Sequence, residues 1–306
     1  MQEPNLQHLS VNGPAARAGG PRRMAWWDWP CTARQSHHVV VCVHGLSRQG
    51  RDFDTLARSL TERSRVVAVD VAGRGHSDWL ADPMAYQVPT YVADLAALLM
   101  HLRAQDPRAV IDWVGTSMGG LIGMAVAAQA SLAPRRLVLN DVGPVIQWEA
   151  LQRIGTYLGL NPSFDKEEAA LDYLASISSG FGPHTTAQWR ELSLPLLRER
   201  EGRWWLHYDP AIATPLKALT GMADQAAARR MASEGEAALW GLYDAITAPT
   251  LLLRGAQSDL LTPETASEME RRGPKARCVV FDGVGHAPTL VADDQVAAVR
   301  DFLWSD

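Results

Sequence analysis

Cysteine is scarce in this chain. There are three in 306 residues, Cys31, Cys42 and Cys278, with no C-x-x-C pair. An odd and sparse set excludes a disulfide framework or a cysteine-built metal site, and reads as reduced, mostly buried thiols. Excess positive charge is also missing. The formal net charge is −5 and no long basic run occurs, so no nucleic-acid partner is expected. No apolar run reaches the roughly 18 residues that span a bilayer. The start, Met1-Gln-Glu-Pro-Asn5, lacks the charged-then-apolar form of a signal segment. The expectation is a cytoplasmic protein with no membrane partner. Internal repeats and low-complexity tracts are absent as well. What the chain does have is bulk: 47% hydrophobic residues support a large core, in one large domain or two smaller ones.

The most informative stretch is Val110-Ile-Asp-Trp-Val-Gly-Thr-Ser-Met-Gly-Gly120. It opens with an apolar run long enough for a buried strand, passes through Gly115-Thr116-Ser117-Met118-Gly119, and continues into a small-residue helix. A serine at such a strand-to-helix turn sits on a sharp, strained bend with its hydroxyl outward. The flanking glycines avoid collisions with neighbouring backbone. The helix that starts behind the serine turns free N–H groups toward any negative charge formed there. The five-residue pattern alone is common; the strand before it and the helix after it supply the context that gives it meaning.

Around this stretch the chain alternates. After a polar lead-in over residues 1–20 that has room for a short edge strand, strands are predicted at Arg22–Trp29, Val39–Val43, Val66–Val69, Val110–Val114 and Arg136–Asn140. Helices are predicted between them at 52–61, 91–102 and 120–130. Apolar strands alternating with helices specify an α/β fold with a mostly parallel sheet covered on both faces. Ligands in such sheets bind beyond the carboxyl ends of the strands. His44, Asp70, Ser117 and Asp141 all follow strand ends. From Gly143-Pro144 to Ile246 no clear strand is evident. Short helical stretches at 147–159, 165–178, 185–200 and 222–243 are broken by proline and glycine, and five of the eleven tryptophans fall here. The expected organisation is a core of residues 1–143 and 247–306 with a helical cap of residues 144–246. Most of the cap tryptophans should build the cap's own core, with one or two lining an apolar pocket. The sheet resumes at Thr250–Arg254 and Cys278–Phe281, and an amphipathic helix ends the chain.

A serine hydroxyl needs a base, and the base needs a carboxylate to hold its tautomer. His286 follows the last strand between glycines, and Asp259 follows the strand before it. The order Ser117, Asp259, His286, together with His44-Gly45, Asp70-Val-Ala-Gly-Arg-Gly-His-Ser77, Leu252-Leu-Arg-Gly255 and Gly283-Val-Gly-His286, resembles the α/β-hydrolase family with a helical cap. The resemblance spans about residue 38 to the C-terminus. It implies a serine hydrolase of the ester- or lactone-cleaving kind, acting on a small, fairly apolar substrate without cofactor or metal. It assigns Ser117, Asp259 and His286 to catalysis and the backbone N–H groups of Leu46 and Met118 to an oxyanion hole. Asp141 is a second candidate for the acid, since some relatives carry theirs at that point. His44, Gly45 and Arg48 are candidates at the substrate-binding edge, with His44 chiefly supporting its loop. A carbon–carbon bond hydrolase of ring-cleavage products is an alternative, with Arg48 or Arg51 gripping a carboxylate. A small-molecule receptor on the same scaffold is a third reading.

Overall fold

The computed structural model describes residues 3–33 and 36–305, so Met1 and Gln2 of the lead-in lie outside the described residues. The chain enters through β1 (Asn5–Val11) and β2 (Arg22–Trp29), then β3 (His38–Val43), α1 (Asp54–Leu60) and β4 (Arg65–Asp70). It continues through α2 (Val88–Gln105), β5 (Val110–Thr116), α3 (Met118–Ala127) and β6 (Leu137–Asn140). A long excursion follows: α4 (Trp148–Tyr157), β7 (Ser163–Phe164), α5 (Glu167–Ile177), α6 (Thr186–Ser193), β8 (Leu197–Arg200), β9 (Arg203–Leu206), α7 (Thr214–Thr220) and α8 (Gln225–Asp244). The last elements are β10 (Thr250–Gly255), α9 (Pro263–Met269), β11 (Arg277–Phe281) and α10 (Asp293–Trp304).

Eight strands form one sheet in the order β1-β2-β4-β3-β5-β6-β10-β11. β1 and β2 pair antiparallel at one edge, and the strands from β4 to β11 run parallel. The alternation of side chains across a strand divides the core in two. Along β3, Val41 and Val43 face one apolar cluster with Leu95, Leu98 and Ile122, while Val40 and Cys42 face a second with Leu56, Leu60 and Leu303. Helices thus cover both faces, which is why the parallel strands read as unbroken apolar runs. Each such fully buried Val or Leu contributes about 1.5–3 kcal/mol.

The strand order reverses between β3 and β5. The chain leaves β3 toward β4 on one side and later places β5 on the other. At such a switch point the connections diverge and a crevice opens beyond the carboxyl ends of the strands. His44 follows β3 and Ser117 follows β5, so both sit at this crevice.

The excursion between β6 and β10 is not purely helical. β7, β9 and β8 form a small antiparallel sheet. The stretch read from the sequence as one helix over 185–200 is instead α6 followed by a turn and β8. β8 and β9 are joined by Glu201-Gly202, both with positive φ (55° and 71°), as a tight two-residue hairpin demands. Among the described residues, no helix is long and apolar enough to cross a membrane.

Candidate active site

Ser117 stands between β5 and α3 with φ 52° and ψ −116°, a conformation that non-glycine residues adopt only when their surroundings hold them there. The surroundings are explicit. A Cβ on Gly115 would lie 2.3 Å from the Gly119 carbonyl oxygen, and one on Gly119 would lie 1.9 Å from the Val43 carbonyl oxygen. Both positions therefore require glycine, and the close packing of strand, turn and helix fixes the bend. The Ser117 N–H donates to the Asn140 carbonyl at 2.9 Å, tying the turn to the neighbouring strand end.

His286 lies in the loop after β11. Its Nε2 is 2.9 Å from Ser117 Oγ and its Nδ1 is 2.6 Å from Asp141 Oδ2. A carboxylate only accepts, so Nδ1 carries the proton and Nε2 is free to accept from the serine hydroxyl. Asp141 is fully buried and follows β6 with φ 54°. Its Oδ1 accepts from the Gly255 N–H at 2.8 Å, and its Oδ2 also accepts from Ser258 Oγ at 2.6 Å. A backbone donor, a hydroxyl and an imidazole thus surround this carboxylate, satisfying its charge away from water.

Asp259, expected as the partner of His286, is elsewhere, and that expectation is corrected here. Its side chain is half exposed and forms a two-pronged ion pair with Arg153 of α4, with Arg153 Nε 2.8 Å and Nη2 2.7 Å from its Oδ2. The strand order admits either acid. β6 and β10 are neighbours, and both end close to the loop after β11. The turn after β10 gives His286's carboxylate a hydroxyl, from Ser258, rather than a second acid.

The loop after β3 approaches the serine from the other side. Gly45, Leu46 and Arg48 line the same cavity as Ser117, Met118 and His286. The N–H groups of Leu46 and Met118 have no hydrogen-bond acceptor among the described residues. His44 is different. It is fully buried and off the cavity wall, so its candidacy as a substrate contact is also corrected. Its Nε2 accepts from the Val71 N–H at 3.0 Å and its Nδ1 donates to the Gly45 carbonyl at 2.6 Å. Burial, with smaller repulsion from Arg74 and Arg48, depresses its pKa to about 3 and keeps it neutral. It is the loop support that the sequence suggested.

Arg48 is 2.7 Å and 2.8 Å from the two Asp52 carboxylate oxygens and also donates to the Leu192 carbonyl. Arg51 pairs with Asp54 and rests over the Trp27 ring, off the cavity wall. The cavity has a volume of about 900 Å³ and an apolar wall, contributed largely by the excursion between β6 and β10. Ile154, Leu174, Leu216 and Leu219 are among its aliphatic residues, and Tyr157, Tyr173, Phe181 and Tyr208 are among its aromatic ones. None of the five tryptophans of this region lines it, so the aromatic part of the wall comes from tyrosine and phenylalanine rather than tryptophan. Trp148 and Trp240 are buried in the packing of the excursion, as expected for most of the set.

A second Ser-His-Asp chain provides a contrast. Ser64 Oγ is 2.9 Å from His38 Nδ1, and His38 Nε2 is 2.5 Å from Asp112 Oδ2. Ser64 is fully buried, receives the Trp304 indole N–H, and does not line the cavity on which Ser117 opens. Connectivity alone does not make a nucleophile; access and a place for the developing charge are also needed.

Residues 40–299 match the sequence profile of the Alpha/beta hydrolase family, most of the chain. The chain is an α/β hydrolase. It is 46% identical over 304 residues to a 3-hydroxybutyrate-oligomer hydrolase of Cupriavidus necator, covering 98% of each protein. It is 28% identical to an esterase of Mycobacterium tuberculosis, covering 98% of this chain and 92% of that protein. Among solved structures, an α/β hydrolase from Novosphingobium aromaticivorans superposes with a TM-score of 0.81 at 33% identity, covering 99% of both chains. For this α/β hydrolase the switch-point crevice, the strained serine and the buried carboxylate–imidazole pair belong to one fold plan.

Proposed function

We propose that this α/β hydrolase is a serine esterase whose catalytic residues are Ser117, His286 and Asp141, and that its substrates are linear oligomeric esters of small hydroxy acids, with 3-hydroxybutyrate oligomers foremost. The observation that carries the catalytic part is the continuous Ser117–His286–Asp141 hydrogen-bond chain opening on an apolar cavity. The substrate part is supported by 46% identity, over nearly the full length of both chains, to a protein that bears that oligomer's name.

In this reading His286 Nε2 takes the hydroxyl proton as Ser117 Oγ attacks the ester carbonyl. The Leu46 and Met118 N–H groups face the resulting oxyanion, each worth about 2.7–4 kcal/mol of barrier. The intermediate collapses, the C–O bond to the alcohol breaks, and His286 returns the proton to the departing oxygen. Water then attacks the acyl-enzyme by the same proton route and frees the acid and the serine. Asp141 accepts the Nδ1–H throughout and offsets the imidazolium charge. Residues 144–246 act as the cap, closing the crevice with aliphatic and aromatic side chains. The carbon–carbon hydrolase reading receives no support from Arg48 or Arg51, since each already has a carboxylate partner.

Ser117→Ala tests the reading. The variant is expected to unfold at the wild-type temperature, within a few degrees, and to lose turnover of both a p-nitrophenyl ester and a 3-hydroxybutyrate dimer. Near-wild-type turnover of either substrate would sink the mechanism. Wild-type protein that is active on the p-nitrophenyl ester and inactive on the dimer would sink the substrate assignment alone.

A further inference from the structure

Among the described residues, Arg74 is the only arginine in the set of largest fully buried side chains. It lies in the loop after β4, and no carboxylate among the described residues forms an ion pair with it. Arg22, the comparable buried arginine, meets Asp94 with two short hydrogen bonds. Arg74 has only neutral partners. Its Nε donates to the Leu46 carbonyl at 2.8 Å, and its Nη1 donates to the Ala72 carbonyl at 2.7 Å and Tyr91 Oη at 2.9 Å. Its Nη2 approaches Met118 Sδ at 3.6 Å, and the guanidinium lies over the Tyr91 and Tyr86 rings at 5.2 Å and 5.8 Å. One side chain therefore touches both residues whose N–H groups are assigned to the oxyanion.

We propose that Arg74 is a positioning residue for the oxyanion site: it holds the Leu46 loop against the start of α3 and keeps an uncompensated positive charge behind the point where the tetrahedral intermediate becomes negative. The inference rests on the esterase reading above. Burying a cation without an anion is costly, and such a charge is normally paired. Here a negative charge is created beside the same residues only when Ser117 attacks. The attraction is then stronger in the transition state than in the ground state, which is the condition for raising kcat rather than lowering KM. The charge is felt nearby, since repulsion from Arg74 adds to burial in holding His44 neutral. A purely structural role would need only a group that fills the space and donates to the Leu46 carbonyl.

The test compares Arg74→Met, which is neutral and of similar length, with Arg74→Lys, which keeps the charge but loses the planar fork. Three readouts are taken: kcat and KM on a soluble ester, thermal unfolding, and inhibition by an alkylboronic acid. In the inhibitor complex the Ser117 oxygen bonds to boron as its proton passes to His286 Nε2, giving a tetrahedral boronate anion at the oxyanion site. For Arg74→Met we expect kcat to fall about tenfold to a hundredfold, boronate affinity to fall in parallel, and KM to change less than about threefold. Arg74→Lys should recover part of both losses. If Arg74→Met does not fold, Arg74→Lys carries the test through the same parallel loss in kcat and boronate affinity with KM unmoved. A folded Arg74→Met with kcat within about threefold of wild type, the same result in Arg74→Lys where Arg74→Met does not fold, or a folded variant of either kind in which KM and boronate binding weaken equally, overturns the proposal. A wild-type protein that neither cleaves the ester nor binds the boronate overturns the esterase reading, and this inference with it.

Discussion

At the residue scale the site depends on burial that fixes protonation. His44 is neutral because its ring is sealed from water and both nitrogens are committed, one accepting from Val71 and one donating to Gly45. Its pKa falls from 6.5 to about 3 on folding. Between those values the unfolded chain holds more protons than the folded one, so stability drops as pH falls through that window. The stabilising term is fully present above about pH 6.5 and is lost toward pH 3. At most, this single group contributes about 1.4 kcal/mol per pH unit to the slope. His44→Gln should lower the melting temperature at pH 7.5 yet show a shallower decline from pH 6.5 to 4. Equal slopes for variant and wild type, followed by thermal unfolding across that range, would refute the assignment. Nothing in the composition marks this histidine apart from His38 or His76. Its position after a buried strand, beside glycine, was the legible signal, and the sequence supported a loop-holding role on that basis.

At the element scale the bend that carries Ser117 is the part most fully written in the sequence. A β-branched run, a G-x-S-x-G and a small-residue helix encode it locally, and β5 and α3 fall within a few residues of the expected bounds. The strain at Ser117 is held by contacts that leave no room at Gly119. Gly119→Ala should therefore cost more than the roughly 1 kcal/mol typical of a point substitution, about 2–5 kcal/mol in denaturant unfolding, with loss of activity. A variant that unfolds at the wild-type midpoint would mean that backbone contact with Val43 does not hold the bend. The excursion is where sequence reading was weakest. β8 and β9 are four residues each, and β8 carries Arg198, Glu199 and Arg200 among its four positions. Such a hairpin forms because Glu201-Gly202 takes left-handed backbone and because Trp204 and Leu206 pack inward. Period-two patterning over so few residues cannot announce it. The tryptophans followed from the same limit: which face of a short element meets the cavity is settled by packing against the sheet, not by spacing along the chain.

At the scale of the whole molecule the account turns on which strand ends converge. The order of elements, the parallel sheet and the gathering of His44, Ser117 and Asp141 beyond strand ends follow from apolar periodicity and were legible. Chain order also brought Asp259 into view, because it follows the strand before the histidine loop. Distance in the folded molecule decides otherwise. β6 lies beside β10, so Asp141 reaches His286 at 2.6 Å from a strand end 145 residues away in the chain, while Asp259 faces Arg153 at the cavity rim. The Ser64–His38–Asp112 chain at the opposite ends of the strands shows that the same three groups can serve packing alone when they are sealed. The most direct measurement is kcat of Asp141→Asn and Asp259→Asn side by side on one soluble 3-hydroxybutyrate ester. Asp141→Asn is expected to lose about 10³–10⁴-fold while remaining folded, because the imidazole is left in the wrong tautomer. Asp259→Asn breaks an exposed ion pair worth about 0.2–1 kcal/mol and should keep kcat within about threefold. The reverse pattern, with Asp259→Asn inactive and Asp141→Asn near wild type, would contradict the account.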